Sequence, residues 1–189
     1  MRLKVNTSRA SNFYSDLSYL QQTREEKIKS LETAVKYIEE AIKIRRELGL
    51  RADLSMSLNN ASGSYLDLSY LQQTREEKIK SLETAVRYIK EAIEIYRELG
   101  LLLDLADSLA VSVFVYDSSI KFNPQLFSQA MKNCDEAIDI FLKFSLKEKY
   151  RPLLLFGIKY HQLMNALTGS QNHQIRISTY QQILSSDSP

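Results

Sequence analysis

The side chains able to do acid–base, nucleophilic or metal chemistry in this 189-residue chain are few and poorly spaced for it. His161 and His173 are the only histidines. A predicted helix break lies between them, and neither carries the H-E-x-x-H or other spacing that would bring two ligands to one metal ion. His161 follows Tyr160, a packing residue, and reads as a surface or internally satisfied structural histidine. An active site would need a deep pocket grouping it with Glu136 or Asp139. Cys134, the single cysteine, falls at the repeat position held elsewhere by Ile38 and Ile89, which makes it a small core hydrophobe rather than a nucleophile. No glycine-rich phosphate loop and no G-x-S-x-G motif occur. The expectation is a non-enzyme with no cofactor and no metal.

The charge balance narrows the partners. Twenty-five basic and 23 acidic residues nearly cancel, leaving no field with which to hold nucleic acid or an anionic membrane. The longest apolar stretch, around Leu109 to Tyr116, is far shorter than the roughly 20 residues of a membrane span. With no apolar signal core at the N-terminus and one cysteine, the expected location is the cytoplasm.

What must position any site is a repeat. Residues 17–50 and 68–101 differ at only four positions, and Asp16 recurs as Asp67, a period of 51. Periods of this order belong to stacked supersecondary units. Glu, Lys, Leu, Ala and Ile dominate residues 23–101, a helix-forming composition without strand-like alternation. Thr23 with Glu26 and Thr74 with Glu77 read as capping boxes opening long helices that close at Gly49 and Gly100. Ile28, Leu31, Val35, Ile38 and Ile42 form one seam of the first. Ala34, Tyr37, Ala41 and Leu48 widen it until it needs neighbours on two sides. Leu54, Leu58, Ala61, Tyr65, Leu68 and Leu71 mark a partner helix.

The four substitutions divide into two kinds. Lys36 becomes Arg87, while Glu39 and Lys43 exchange signs as Lys90 and Glu94, keeping an i,i+4 pair on the solvated face. Arg45 becoming Tyr96 instead trades charge for a large amphipathic ring, marking a place where the second repeat meets something the first does not.

Tyr14, Tyr65 and Tyr116 follow the period, and each is followed by Ala-x3-apolar-x2-Ala: Ala34 to Ala41, Ala85 to Ala92, Ala130 to Ala137. A fourth, partial unit shows Leu153, Phe156, Gly157 and Tyr160, with Pro152 at the start of its helix. Ile177, Tyr180, Ile183 and Leu184 suggest a short closing helix, and the terminal Ser-Ser-Asp-Ser-Pro is expected to fray. The chain thus reads as one all-α domain, 1–189, with repeats at about 5–49, 52–100 and 102–145 and a partial unit at 147–185.

These residues resemble the tetratricopeptide repeat, whose pattern is an aromatic, Leu-Gly and Tyr on one helix and Ala, aromatic, Ala on the next. The match covers about residues 5–165. Leu153, Phe156, Gly157 and Tyr160 fit the first helix best, and Leu58, Ala61, Ser62 and Tyr65 fit it loosely. The departure is length, since the family repeat is about 34 residues. The resemblance implies a TPR-like solenoid, an α-α superhelix of antiparallel helix pairs closed by a C-terminal capping pair. Its first helices would line a concave face that holds a peptide or protein segment.

On that reading the candidate partner-binding surface comprises Asp16, Tyr19, Asn59, Asn60, Asp67, Tyr70, Val111 and Phe114, with Tyr96 added by its substitution. Val111 and Phe114 have a competing structural reading as buried residues of a helix that is apolar almost all round. Some family members grip a C-terminal carboxylate with Asn and basic side chains. Here Asn59 and Asn60 give way one repeat later to Ala110 and Val111, so a mixed tyrosine, amide and aspartate groove suits a polar or basic segment instead. The expected function is a non-catalytic protein-interaction scaffold. Its alternative is a self-associating protein, a homodimer through its repeat surfaces.

Overall fold

The computed structural model describes residues 3–21 and 23–186. Every regular element among them is a helix: α1 (Leu3–Leu20), α2 (Arg24–Glu47), α3 (Arg51–Leu71), α4 (Arg75–Leu99), α5 (Leu102–Ser119), α6 (Leu126–Lys143), α7 (Lys147–Thr168) and α8 (Gln171–Ser186). Each packs on its sequence neighbour within one of two compact units, Met1–Leu101 and Leu102–Pro189. No described helix is long and apolar enough to cross a membrane.

Local chemistry explains the helix ends. At the start of α2 the Glu26 N–H donates to Thr23 Oγ1 at 3.2 Å, and the Thr23 N–H returns a bond to the Glu26 carboxylate at 3.3 Å. Thr74 and Glu77 repeat the arrangement for α4. α2 stops at Gly49, φ +67°, with the Leu50 N–H donating to Arg45 O at 3.0 Å and the Gly49 N–H to Arg46 O at 3.2 Å. Gly100 closes α4 the same way. The end of α6 keeps this turn without its glycine. Ser145 takes φ +56°, the Leu146 N–H donates to Phe141 O at 2.9 Å, and the Ser145 N–H donates to Leu142 O at 3.0 Å.

In the first unit the expected seam is the core. Ile38, Ile42, Leu54, Leu58, Ala61, Tyr88, Ala92 and Ile95 form one cluster, and Leu31, Val35 and Leu68 form another under Ile28, Tyr65 and Leu71. At about 1.5–3 kcal/mol for each fully buried large side chain, these contacts outweigh propensity in holding the helices. Leu48, expected in the arc, is 47% exposed because α2 has already ended.

α3 is more deeply enclosed than its apolar stripe suggested. Ser55, Ser57, Ser62, Ser64 and Ser69 are buried beside the leucines. Their small side chains permit close helix approach, and three of the hydroxyls find carbonyls: Ser55 and Ser69 bond three residues back, and Ser62 reaches Ala85 O at 3.0 Å. The repeat also stacks Tyr14 on Tyr37 at a centroid distance of 5.8 Å and sets Tyr65 against Tyr88 in a tilted pair at 5.9 Å. Glu39 does more than face solvent beside Lys43. Its Oε1 accepts from Tyr65 at 2.6 Å and from Tyr88 at 3.3 Å, joining α2 to both α3 and α4.

In the second unit Ala130, Cys134, Ala137, Ile138 and Phe141 of α6 are buried. The Cys134 thiol donates to Leu153 O at 3.3 Å, and burial raises its pKa, as befits a core residue. Asn133, 3% exposed, donates to Ser112 Oγ at 2.7 Å. Pro152 is not at a helix start. α7 begins at Lys147, so the proline costs one backbone bond in the second turn, where it was expected to cost nothing. α8 runs 16 residues with Ile177 and Tyr180 buried. Ser185 and Ser186 complete it, whereas the remainder of the terminus expected to fray, residues 187–189, lies outside the described residues.

Candidate functional site

The repeat brings two copies of one surface motif together. Asp16 and Tyr19 lie one turn apart on α1, and Asp67 and Tyr70 hold the same positions on α3. The two helices run side by side, so the Tyr19 hydroxyl of the first copy donates to Asp67 Oδ2 of the second at 2.8 Å. Around this bond is a cleft of about 170 Å³ lined by Ser18, Tyr19, Lys27, Leu31, Asp67, Tyr70 and Leu71. Leu31 and Leu71 supply an apolar lining. The aromatic residues stay accessible, Tyr19 at 69% and Tyr70 at 61%.

Electrostatics set the character of the cleft. The Tyr19 hydroxyl is pushed up to about 12, first by its bond to Asp67, then by burial and by the charges of Asp67 and Asp16. Loss of hydration raises the Asp67 carboxyl above the usual carboxylate value, and the bond from Tyr19 offsets only part of this. An under-solvated carboxylate between two exposed aromatic rings accepts a cationic donor well. Lys27 supplies one positive charge to the same lining.

The other candidates are distributed. Asn60 continues the Asp67 and Tyr70 stripe toward the start of α3 at helical spacing, with Gly63 between them. Asn59 lies beside it, half-buried, and its side-chain oxygen has no hydrogen-bond partner among the described residues. Tyr96 is 6% exposed and presents almost no surface to a partner. Its counterpart Arg45 is also used internally, donating to Asp53 O at 2.9 Å and to Ser57 Oγ. Val111 and Phe114 belong to the second unit, where Val111 is half-buried and Phe114 packs edge-on against Phe156 at 5.1 Å.

One cluster escaped the sequence reading. His161 and His173, separated by the α7–α8 turn, meet with Nδ1 atoms 2.8 Å apart. His161 Nε2 lies 3.0 Å from both oxygens of Asp135, not against Glu136 or Asp139. Tyr180 donates to Asp135 Oδ1 at 2.7 Å, and Arg176 pairs with Asp139 at 3.1 and 3.0 Å. The available signal was the hairpin itself, since antiparallel helices joined by two residues place side chains on either side of the turn in contact. Among the described residues no three His, Cys, Asp or Glu side chains converge as a metal site.

No family model matches the chain, and no curated protein matches it. Among solved structures it is similar to the crystal structure of the de novo designed helical repeat protein DHR64, at TM-score 0.48 and 10% identity, over 98% of this chain and 92% of that one. It is also similar to the DHF119 filament, at TM-score 0.42 and 11% identity over the same shares. Likenesses this distant add nothing to what the helices and their internal repeat already define, an all-α protein of tandem helical hairpins.

Proposed function

We propose that this chain is a non-catalytic interaction scaffold that binds a polar or basic protein segment at the cleft of its first unit. The observation that carries the reading is the convergence of Tyr19 with Asp67 and Tyr70, which lie about 50 residues further along the chain, around one under-solvated carboxylate. A lysine or arginine side chain would place its charge on Asp67 and its alkyl stem against the two rings. Asn60 and Gly63 extend the track along α3, where an extended segment finds an amide to bond and room for its backbone. The tetratricopeptide resemblance agrees with a peptide-binding role, and the single buried cysteine agrees with a cytoplasmic location.

Affinity capture with the intact chain as bait tests the reading. Partners recovered by the wild type are expected to be lost with Tyr70→Ala and reduced with Asn60→Ala. Undiminished capture by both variants places the binding surface elsewhere. Self-association is separated by sedimentation equilibrium.

A further inference from the structure

α8 is held to the second unit by a polar chain as well as by Ile177 and Tyr180. His161 of α7 is 3% exposed. Its Nε2 is 3.0 Å from both Asp135 oxygens on α6, and its Nδ1 is 2.8 Å from Nδ1 of His173 on α8. A hydrogen bond between two ring nitrogens uses one N–H and one lone pair. With both rings neutral, His161 donates from Nε2 to Asp135 and accepts at Nδ1 from His173. With one added proton, His161 is an imidazolium donating at both nitrogens, and His173 accepts while carrying its own proton on Nε2. A second added proton has no place, because two N–H groups would then face each other across 2.8 Å.

The surrounding charges do not relieve this. From α6, Asp135 is the one carboxylate touching the pair and it already accepts from Tyr180 of α8 at 2.7 Å. Asp139, one turn along α6, is engaged by Arg176 of α8, which brings a further positive charge to the same side. The neighbouring Cys134 thiol is buried and neutral.

We propose that His161 and His173 form an acid-sensitive latch for α8: the docked helix accommodates one added proton on the pair and excludes the second. In the released state both rings are in water, where an imidazole protonates near pH 6.5. Well below that value the released state binds one proton more than the docked state. Below about pH 6.5 docking is therefore weakened as pH falls, the opening constant approaching a tenfold increase per pH unit once both released rings are fully protonated. Release uncovers Ile177, Tyr180 and the face of α7 around Gly157.

Hydrogen exchange of the α8 backbone amides in the full chain, corrected for intrinsic rates, tests the latch between pH 7.5 and 5.0. The opening constant should rise about tenfold from pH 6.5 to 5.0 while α6 amides keep their protection. His173→Gln, whose amide pairs with His161 Nδ1 without titrating, should flatten the profile. A flat wild-type profile, or an equal slope in the variant, overturns the proposal. Should the variant fail to dock at pH 7.5, NMR titration of the wild-type rings decides. Uptake of the second proton is expected to coincide with loss of α8 protection, and two fully protonated rings with α8 still protected overturn the latch.

Discussion

Gly157 of α7 lies so close to Tyr180 of α8 that a Cβ on the glycine would come within 2.6 Å of the ring's Cε2 and 2.9 Å of its Cδ2. The ring has nowhere to retreat, being fully buried with its hydroxyl held by Asp135. Gly157→Ala should therefore destabilise the second unit by about 1–3 kcal/mol. That cost outweighs alanine's advantage in helix propensity, about 1 kcal/mol. Urea denaturation followed by circular dichroism measures it, and an unchanged or raised midpoint would show that the hairpin is looser than this contact.

Ser145 adopts the left-handed conformation that Gly49 and Gly100 adopt at the corresponding turns. An L side chain is disfavoured there and glycine is not, although glycine loses more entropy on folding. Ser145→Gly should stabilise the turn by a net of roughly 0.5–1 kcal/mol. A lower thermal midpoint for the variant would contradict the shared turn geometry.

Gly63 occupies the interior of α3, and a Cβ there would meet nothing within 4 Å. Filling this open position with Gly63→Ala should stabilise the first unit by about 0.5–1 kcal/mol. The same change should weaken partner capture if the bound segment runs along the Asn60 to Tyr70 stripe. Greater stability with unchanged capture would confine the ligand to the cleft itself.

Asp67 should trade stability for binding. Its folded carboxyl titrates above the unfolded value, chiefly through lost hydration. Such a group stabilises the fold below the unfolded pKa, about 3.9, and that contribution is lost as pH rises through the folded value. At pH 7 the ionised side chain thus works against folding, and Asp67→Asn should raise the urea midpoint, with the gain shrinking toward pH 4. A lower midpoint at pH 7 would mean that the bond from Tyr19 outweighs desolvation.

The parts of this molecule legible in the sequence are those written by local chemistry. Thr23, Glu26, Thr74 and Glu77 cap through their own backbone, and Gly49 and Gly100 close helices because few other residues take that φ. The seam of α2 followed from spacing. The enclosure of α3 did not, because buried serines look polar in sequence while their hydroxyls are satisfied within the helix or across it. Pro152 misled because it lies five residues inside a helix whose start carries no side-chain cap. Tyr96 is core and not a partner contact: a substitution between copies records a changed neighbour without saying whether that neighbour is solvent, partner or core. The meeting of Tyr19 with Asp67 and of His161 with His173 depends on how helices pair, which residue spacing along one helix does not carry.

In the proposed function Asp67, framed by Tyr19 and Tyr70, receives a cationic side chain. Isothermal titration of a captured partner's basic segment, as a synthetic peptide, into the wild type, Asp67→Asn and Tyr70→Ala tests it directly. A charge-assisted bond contributing about 1.5–3 kcal/mol corresponds to affinity roughly 10- to 100-fold weaker in Asp67→Asn. Replacing the peptide's lysine or arginine with a neutral residue should have the same effect and add nothing further in that variant. Equal affinity in the wild type and Asp67→Asn would contradict the account.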